Sequence, residues 1–328
     1  GEGGDLLSDT TDRGYDFDRD YRAALEPIGG TAPLRISVLN GTIEHLGPRG
    51  QVIATDRARN VETFIGGDGD DTLWGNPGPE GVSITIDGGP GDDFLRAFGA
   101  AATRGGAGDD LILPEGGRIF EGGAGIDTLD ASGMEDTRWE IRLTGAIGSR
   151  IRGLTDNEDG TTAFGSTLGG VEVVILGPLA DEVRLDGDDE LTVFGGAGDE
   201  TLYRNTSAQS SRPGFLYGQA GDDSLRLFEP GEAYGNRGDD LIEVRASGRD
   251  NIVHGGPGDD RVFVARMNGS VDGGPGYDVL TLDRTARDAT RLELDLGTGR
   301  LFSDGTGTDL EGVARGFEAV VGDAALRD

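Results

Sequence analysis

The sequence predicts an all-β chain of short strands joined by tight glycine turns. A nonapeptide of the form Gly-Gly-x-Gly-x-Asp-x-apolar-x recurs nine times, and glycine makes up 61 of the 328 residues. The clear copies begin at Gly66, Gly88, Gly105, Gly122, Gly255 and Gly273, and copies with one substitution begin at Gly195, Gly218 and Gly235. Nine copies, each with an apolar residue two places after the sixth position, make a strong signal.

Each turn is predicted to lie between two short strands, each with one side chain pointing inward. The strand after the turn supplies an apolar residue at the eighth position, and the strand before it supplies one two places ahead of the first glycine. The first set is Leu73, Leu95, Ile112, Leu129, Leu202, Leu225, Ile242, Val262 and Leu280. The second set is Phe64, Ile86, Thr103, Phe120, Val193, Leu216, Ala233, Val253 and Val271.

The residue types of the turn predict a calcium site. Glycine adopts positive φ without penalty, so main-chain carbonyls can point at one centre, and the sixth-position aspartates add carboxylate oxygens. Calcium takes about six to eight such oxygens, whereas zinc and copper prefer His or Cys. The chain has no Cys and only two His. The predicted ligand residues are Asp5, Gly66, Gly69, Asp71, Gly88, Gly91, Asp93, Gly105, Gly108, Asp110, Gly122, Gly125, Asp127, Asp181, Gly195, Gly198, Asp199, Gly218, Gly221, Asp223, Gly235, Gly238, Asp240, Gly255, Gly258, Asp260, Gly273, Gly276 and Asp278.

These repeats resemble those of RTX (repeat-in-toxin) proteins, the haemolysin-type calcium-binding repeat family. The resemblance covers residues 66–130 and 195–281, with degenerate copies around Asp181 and Asp189. It implies a right-handed parallel β-roll, a β-helix solenoid with calcium between stacked turns. The strong turns recur every 17 to 23 residues instead of every nine, so calcium is expected mainly along one edge. One ion per gap gives about eight ions, three in the first block and five in the second.

The blocks alternate with segments of another kind. The predicted organisation is a partial repeat with a strand and loop insertion (1–65), a first calcium block (66–130), an insertion (131–175), a second block (176–281), and an insertion leading into a further turn (282–328). Each insertion contains an alternating strand, beginning at Leu34, Trp139 and Leu292, and closes with Glu62, Glu172 or Glu318 before a β-rich run. We expect wider coils of one continuous solenoid; the alternative is surface loops that only connect the blocks.

Both ends of the sequence read as parts of a repeat. The first residues match a nonapeptide with Asp5 as its aspartate, and the last residues match the opening of another turn. Open solenoid ends expose core and unpaired strand edges. The expectation is therefore either a slice of a longer polypeptide or end-to-end contact with identical chains, which gives filaments when it does not close into a ring.

The strongly negative net charge of the chain limits which molecules it can bind. A net charge of −32 disfavours nucleic acid and anionic membranes, and no signal peptide or membrane span is visible. Stacked carboxylates repel one another without metal, so calcium binding is expected to be part of folding. Absence of Cys and the millimolar affinity of modular calcium sites fit an extracellular or cell-surface location.

No catalytic motif stands out, and His45 and His254 are interpreted as surface or packing residues. The favoured function is a non-enzymatic, secreted structural rod that folds on calcium and assembles end to end. One alternative is a module of a larger secreted enzyme, toxin or adhesin. Another is a glycan-binding solenoid, for which the outward residues of the strands after the turns are too mixed.

Overall fold

The computed structural model describes residues 33–37, 40–57, 63–75, 84–98, 102–116, 118–143, 150–155, 162–186, 191–205, 214–228, 230–245, 250–264, 268–282, 292–295, 300–303 and 312–322. Within these ranges every regular element is a β-strand and there is no helix. None of the described residues therefore forms a helix that could cross a membrane.

The strands are short, most of them three to seven residues, because each coil turns again at a glycine. The first fifteen are β1 (Leu34–Ser37), β2 (Thr42–Leu46), β3 (Val52–Arg57), β4 (Thr63–Ile65), β5 (Thr72–Trp74), β6 (Thr85–Pro90), β7 (Phe94–Arg96), β8 (Ala102–Ala107), β9 (Leu111–Leu113), β10 (Ile119–Ala124), β11 (Thr128–Asp130), β12 (Thr137–Leu143), β13 (Arg150–Thr155), β14 (Thr162–Gly169) and β15 (Val173–Ile175). The others are β16 (Glu182–Leu185), β17 (Thr192–Gly196), β18 (Thr201–Arg204), β19 (Gly214–Ala220), β20 (Ser224–Leu227), β21 (Gly231–Arg237), β22 (Leu241–Val244), β23 (Asp250–His254), β24 (Arg261–Val264), β25 (Asn268–Asp272), β26 (Val279–Leu282), β27 (Leu292–Asp295), β28 (Arg300–Ser303), β29 (Gly312–Arg315) and β30 (Ala319–Gly322).

The chain divides into two compact units. One comprises Gly1–Ala131, Arg150–Leu154 and Gly160–Val174, and the other comprises Ser132–Ser149, Thr155–Asp159 and Ile175–Asp328. Each unit is a parallel β-solenoid, because successive coils contribute one strand to each of two sheets. The all-β parallel architecture predicted from the repeats is thus confirmed.

In the first unit, the strands before the turns (β4, β6, β8 and β10) form one parallel row, and β14 continues it. The strands after the turns (β5, β7, β9 and β11) form the other row, with β1 beside β5 and β15 beside β11. The pairing places Phe64, Ile86, Thr103 and Phe120 in register on one side of the core and Leu73, Leu95, Ile112 and Leu129 on the other.

The second unit repeats this arrangement over more coils. One row runs β17, β19, β21, β23, β25 and β29, and the other runs β12, β16, β18, β20, β22, β24, β26 and β30. All eighteen predicted inward side chains of the two units are buried, none more than 2% exposed. Register is fixed by this burial, since a one-residue slip would turn each row outward.

The predicted insertions supply strands to these rows. In the first unit β1 pairs with β5 in parallel, and its buried Leu34 and Ile36 extend the core. In the second unit β12 pairs with β16, and Trp139, Ile141 and Leu143 are buried. Antiparallel hairpins occur in the same segments: β1–β2–β3, β13–β14 and β27–β28. The period-two alternation that predicted a buried face in the first two insertions is confirmed.

Candidate metal sites at the glycine turns

Positive φ angles shape seven of the nine turns at both the second and the fourth motif positions; the Gly195 turn has one only at Gly196, and the Gly66 turn has neither. In the turn of Gly88, for example, Gly89 has φ 103° and Gly91 has φ 132°. Two turns carry another residue at the second position, and the only non-glycine positive φ angles in the described residues occur there, at Gln219 (80°) and Asn236 (75°). The backbone conformation of the turn is therefore kept even where the sequence departs from glycine.

The first glycine has a different constraint. A Cβ on Gly88 would collide with the Asp93 carboxylate of its own turn and with the carbonyl oxygen of Gly105 in the next coil. The same pair of oxygens, from the sixth residue and from the next coil, crowds Gly105, Gly218, Gly235 and Gly255. Each first glycine thus leaves room for two oxygens to approach one point from two coils.

The sixth-position carboxylates form an inner ladder along the turns. In the first unit the amide of Asp71 donates to Oδ1 of Asp93, Asp93 donates to Asp110, and Asp110 donates to Asp127, at 2.7–2.9 Å. In the second unit the series runs Glu200, Asp223, Asp240, Asp260 and Asp278, at 2.8–2.9 Å. Each carboxylate is thereby fixed by the coil before it.

The second carboxylate oxygen of this ladder is buried and lacks a hydrogen-bond partner within the described part of the chain. This holds for Oδ2 of Asp93, Asp110, Asp127, Asp181, Asp223, Asp240, Asp260 and Asp278, and for both oxygens of Glu200. These residues are at most 2% exposed. Buried polar atoms are normally paired, so a row of unpaired anionic oxygens points to a cation as their partner.

Burial makes the charged form of these groups costly. Desolvation, together with the neighbouring carboxylates Asp110 and Asp71, raises the pKa of Asp93 to about 8. Desolvation likewise raises the pKa of Asp110 to about 7, of Asp240 to about 8 and of Asp260 to about 7. These four carboxyl groups therefore keep part of their protons at neutral pH unless another positive charge replaces them.

The fifth-position residues form a second, outer ladder that runs in the opposite direction. The amide of Asp92 donates to Asp70 of the preceding coil, and Asp109 donates to Asp92. In the second unit Asp222, Asp239 and Asp259 continue the pattern from Asp199. These donor–acceptor distances are 2.8–3.0 Å, and the bonds are exposed to solvent. The outer ladder braces the turns but leaves no buried charge.

Asp199, predicted as a ligand, belongs to this outer ladder. Its carboxylate accepts the amide of Asp222 at an exposed site. The buried inner position of that turn is taken by Glu200, which is 1% exposed. Desolvation and the carboxylate of Asp223 raise the pKa of Glu200 to about 9. The inner residue of this turn is therefore Glu200, the sixth residue of the copy that begins at Gly195, and not Asp199, the fifth.

Two predicted ligands lie outside the nine turns. Asp181 occupies an inner position at the start of the second unit's ladder: its Oδ1 accepts the amide of Trp139 at 2.6 Å, and burial raises its pKa to about 7. Asp71 has the same place in the first unit and accepts the amide of Leu34 at 2.6 Å. Asp5 lies outside the described residues.

The donor set suits calcium. Among the described residues no three His, Asp or Glu side chains converge closely enough to form a metal site by themselves. Main-chain oxygens would have to complete any site, and the turns present them: the carbonyl of Gly91 lies against Gly108, and that of Gly108 against Gly125. Hard oxygens alone, mixing carbonyl and carboxylate, are the ligands calcium prefers.

An aromatic stack flanks the turns of the second unit. Phe194, Tyr217, Tyr234 and His254 each directly precede a first glycine, and their rings stack at 4.8–5.2 Å between centroids and 8–14° between planes. Phe194, Tyr217 and His254 border an open groove of about 540 Å³, which is also lined by Gln219, Asn236 and Arg237. This ordered row was not predicted, whereas the interpretation of His254 as a packing residue agrees with its place in the stack.

Comparison with known families supports the repeat assignment. A family model of the RTX calcium-binding nonapeptide repeat matches four copies, at residues 60–78, 85–99 and 234–266. These segments contain the turns of Gly66, Gly88, Gly235 and Gly255. No curated protein matches the chain. The chain therefore carries RTX calcium-binding nonapeptide repeats, wound as a parallel β-solenoid.

Proposed function

We propose that this chain is a structural, non-catalytic solenoid that folds when calcium binds along its glycine turns. The observation that carries the proposal is the inner ladder, in which each described carboxylate is buried and most keep an unpaired oxygen. Removing such charges from water costs several kcal/mol each unless they are paired. A divalent cation would both pair the oxygens and relieve the repulsion between successive coils.

The proposed ligands are the sixth-position carboxylates, with Glu200 in the place first given to Asp199, and the main-chain carbonyls of the motif glycines. The fit rests on the oxygen-only donor set and on the space that each first glycine leaves. Because an unfolded chain contains no such site, the free energy of calcium binding would contribute directly to folding.

We further propose an extracellular or cell-surface location. RTX repeat proteins are typically secreted, and weak modular calcium sites fill at the millimolar concentrations found outside cells. Calcium-poor cytoplasm would leave the acidic chain unfolded, and external calcium would fold it. End-to-end assembly, binding of glycans and a place within a larger secreted protein stay predictions from the sequence.

A calcium titration followed by circular dichroism tests the folding proposal. In excess EGTA at pH 8 we expect the β-sheet signal to be lost, and calcium added beyond the EGTA should restore it. Magnesium is the matched control, because it requires near-octahedral geometry at about 2.0–2.1 Å and keeps its waters; at equal concentration it should restore little. Identical spectra with calcium and with EGTA at pH 8, where the buried carboxylates can no longer keep all their protons, would refute calcium-dependent folding.

A further inference from the structure

Each described block of turns ends against a short segment that is not a nonapeptide. In the first unit the coil of Gly122 is followed in the stack by residues 170–172 (Gly-Val-Glu), and in the second unit the coil of Gly273 is followed by residues 316–318 (Gly-Phe-Glu). We name these the closing segments. The sequence repeats a similar pattern at residues 60–62 (Asn-Val-Glu), outside the described residues.

The glutamate of each closing segment continues the inner ladder. The amide of Asp127 donates to Oε2 of Glu172 at 2.9 Å, and the amide of Asp278 donates to Oε2 of Glu318 at 2.8 Å. These distances match the 2.9 Å of the two bonds between successive motif aspartates beside them. Glutamate thus takes the place of a further sixth-position aspartate.

The glycine of each closing segment continues the row of carbonyls. A Cβ on Gly122 would meet both the Gly170 carbonyl and the Asp127 carboxylate, as a Cβ on Gly88 would meet Gly105 and Asp93. Gly273 has the same relation to Gly316 and Asp278. The left-handed φ angles of Gly170 (57°) and Gly316 (71°) allow the backbone to turn within this short segment.

The shorter segment also explains a change in the last motif of each block. A single residue, Val171 or Phe317, separates the glycine from the glutamate, whereas four residues separate the first glycine from the sixth position of a nonapeptide. The closing segments therefore lack the middle of the nonapeptide, where a fifth-position amide would lie. The outer ladder then has no further donor to bond. The fifth position of the last copies is accordingly not Asp but Ile126 or Tyr277, both exposed. The amides of these residues still donate backwards, to Asp109 and Asp259 at 2.8 Å.

We propose that Glu172 and Glu318 are ligands of two additional calcium sites, one closing each block. Asp127 and Asp278 are fully buried, and their Oδ2 atoms, which lack hydrogen-bond partners among the described residues, face the closing carbonyls. The inference rests on the proposed calcium function, and it raises the expected content from about eight ions to about ten.

Counting bound calcium by equilibrium dialysis against the radioactive ion tests this inference. Glu172→Gln and Glu318→Gln each keep an oxygen that can accept the aspartate amide but remove the charge. Each variant should bind one ion fewer than the unaltered chain at saturation, and the double variant two fewer.

Glu115→Gln is the control, because Glu115 follows the end of β9 that is far from Asp110, and its carboxylate pairs with Arg96 at 2.6 Å instead of joining the inner ladder. It should leave the calcium count unchanged. An unaltered chain that binds no calcium would refute the proposed function itself. An unaltered chain that binds calcium, together with glutamine variants that bind as many ions as it does with equal affinity, would refute only the closing sites.

Discussion

The sixth carboxylate of each turn serves two neighbouring coils. Asp110, for instance, accepts the amide of Asp93 from the coil before and donates its own amide to Asp127 in the coil after. Its other oxygen lies at its own first glycine, beside a carbonyl of the next coil. A single residue therefore joins three coils. Its side chain contacts the coil before and faces a carbonyl of the coil after, so loss of the side chain should be felt on both sides of its turn.

Replacing Asp110 with alanine tests this at the residue scale. The buried amide of Asp93 would lose its acceptor, which costs about 1–3 kcal/mol, and the proposed sites on both sides would lose an anionic oxygen. We expect a several-fold higher calcium concentration at the folding midpoint, measured by circular dichroism. Asp136→Ala removes an exposed aspartate outside the motif and should leave the midpoint unchanged. Equal midpoints for the two variants would contradict the assigned role.

Single residues also show where sequence reasoning reached its limit. Inward residues such as Leu95 and Val253 could be predicted, because the motif fixes their distance from the turn and the strand period fixes their side. Glu200 could have been predicted, because it is the sixth residue of the copy that begins at Gly195; the prediction favoured Asp199 because aspartate is the residue type of the motif. Glu172 and Glu318 were hidden because they lie 45 and 40 residues from their partners along the chain.

At the scale of elements, the aromatic stack joins four strands of the second unit on the face away from the core. Tyr217 stacks between Phe194 and Tyr234 at 4.9 and 4.8 Å. Parallel register places residues of the same motif position above one another, so one aromatic per coil becomes a continuous row. The row was predictable in principle from the residue directly before each first glycine, but only after the coils were known to stack in that register.

Tyr217→Ala should weaken the second unit without changing its calcium ligands. Aromatic pairs contribute about 0.5–1.5 kcal/mol each beyond their burial, so the loss of two should lower stability by roughly 1–3 kcal/mol. The measurement is urea unfolding in saturating calcium, together with the number of ions bound, which should not change. Tyr217→Phe keeps both ring contacts and is the control. A change in ion number with Tyr217→Ala would mean that the stack also shapes the calcium turns.

At the scale of the whole molecule, protons and calcium compete for the same inner ladder. The pKa values of Asp93, Asp110, Asp240 and Asp260 are raised to about 7–8 in the folded chain, against about 3.9 for an aspartate in an unfolded chain. The calcium-free fold therefore binds more protons than the unfolded chain. Its stability is greatest at low pH and is lost progressively as the pH rises from about 4 through about 8.

The fold should therefore depend on pH without calcium and be nearly independent of pH with it. In calcium-depleted buffer we expect the β-sheet signal to fall as the pH is raised from 5 to 8, because the buried carboxylates lose their protons and repel one another. In saturating calcium the signal should stay nearly constant, since the metal replaces the protons. At pH 5–6, where the calcium-free fold holds protons, calcium addition should release them into a weakly buffered solution. At pH 8 the calcium-free chain is unfolded with its carboxylates already ionised, so calcium should restore the fold with little proton release. A calcium-free signal that instead rose with pH would mean that the inner carboxylates are not the groups that calcium neutralises.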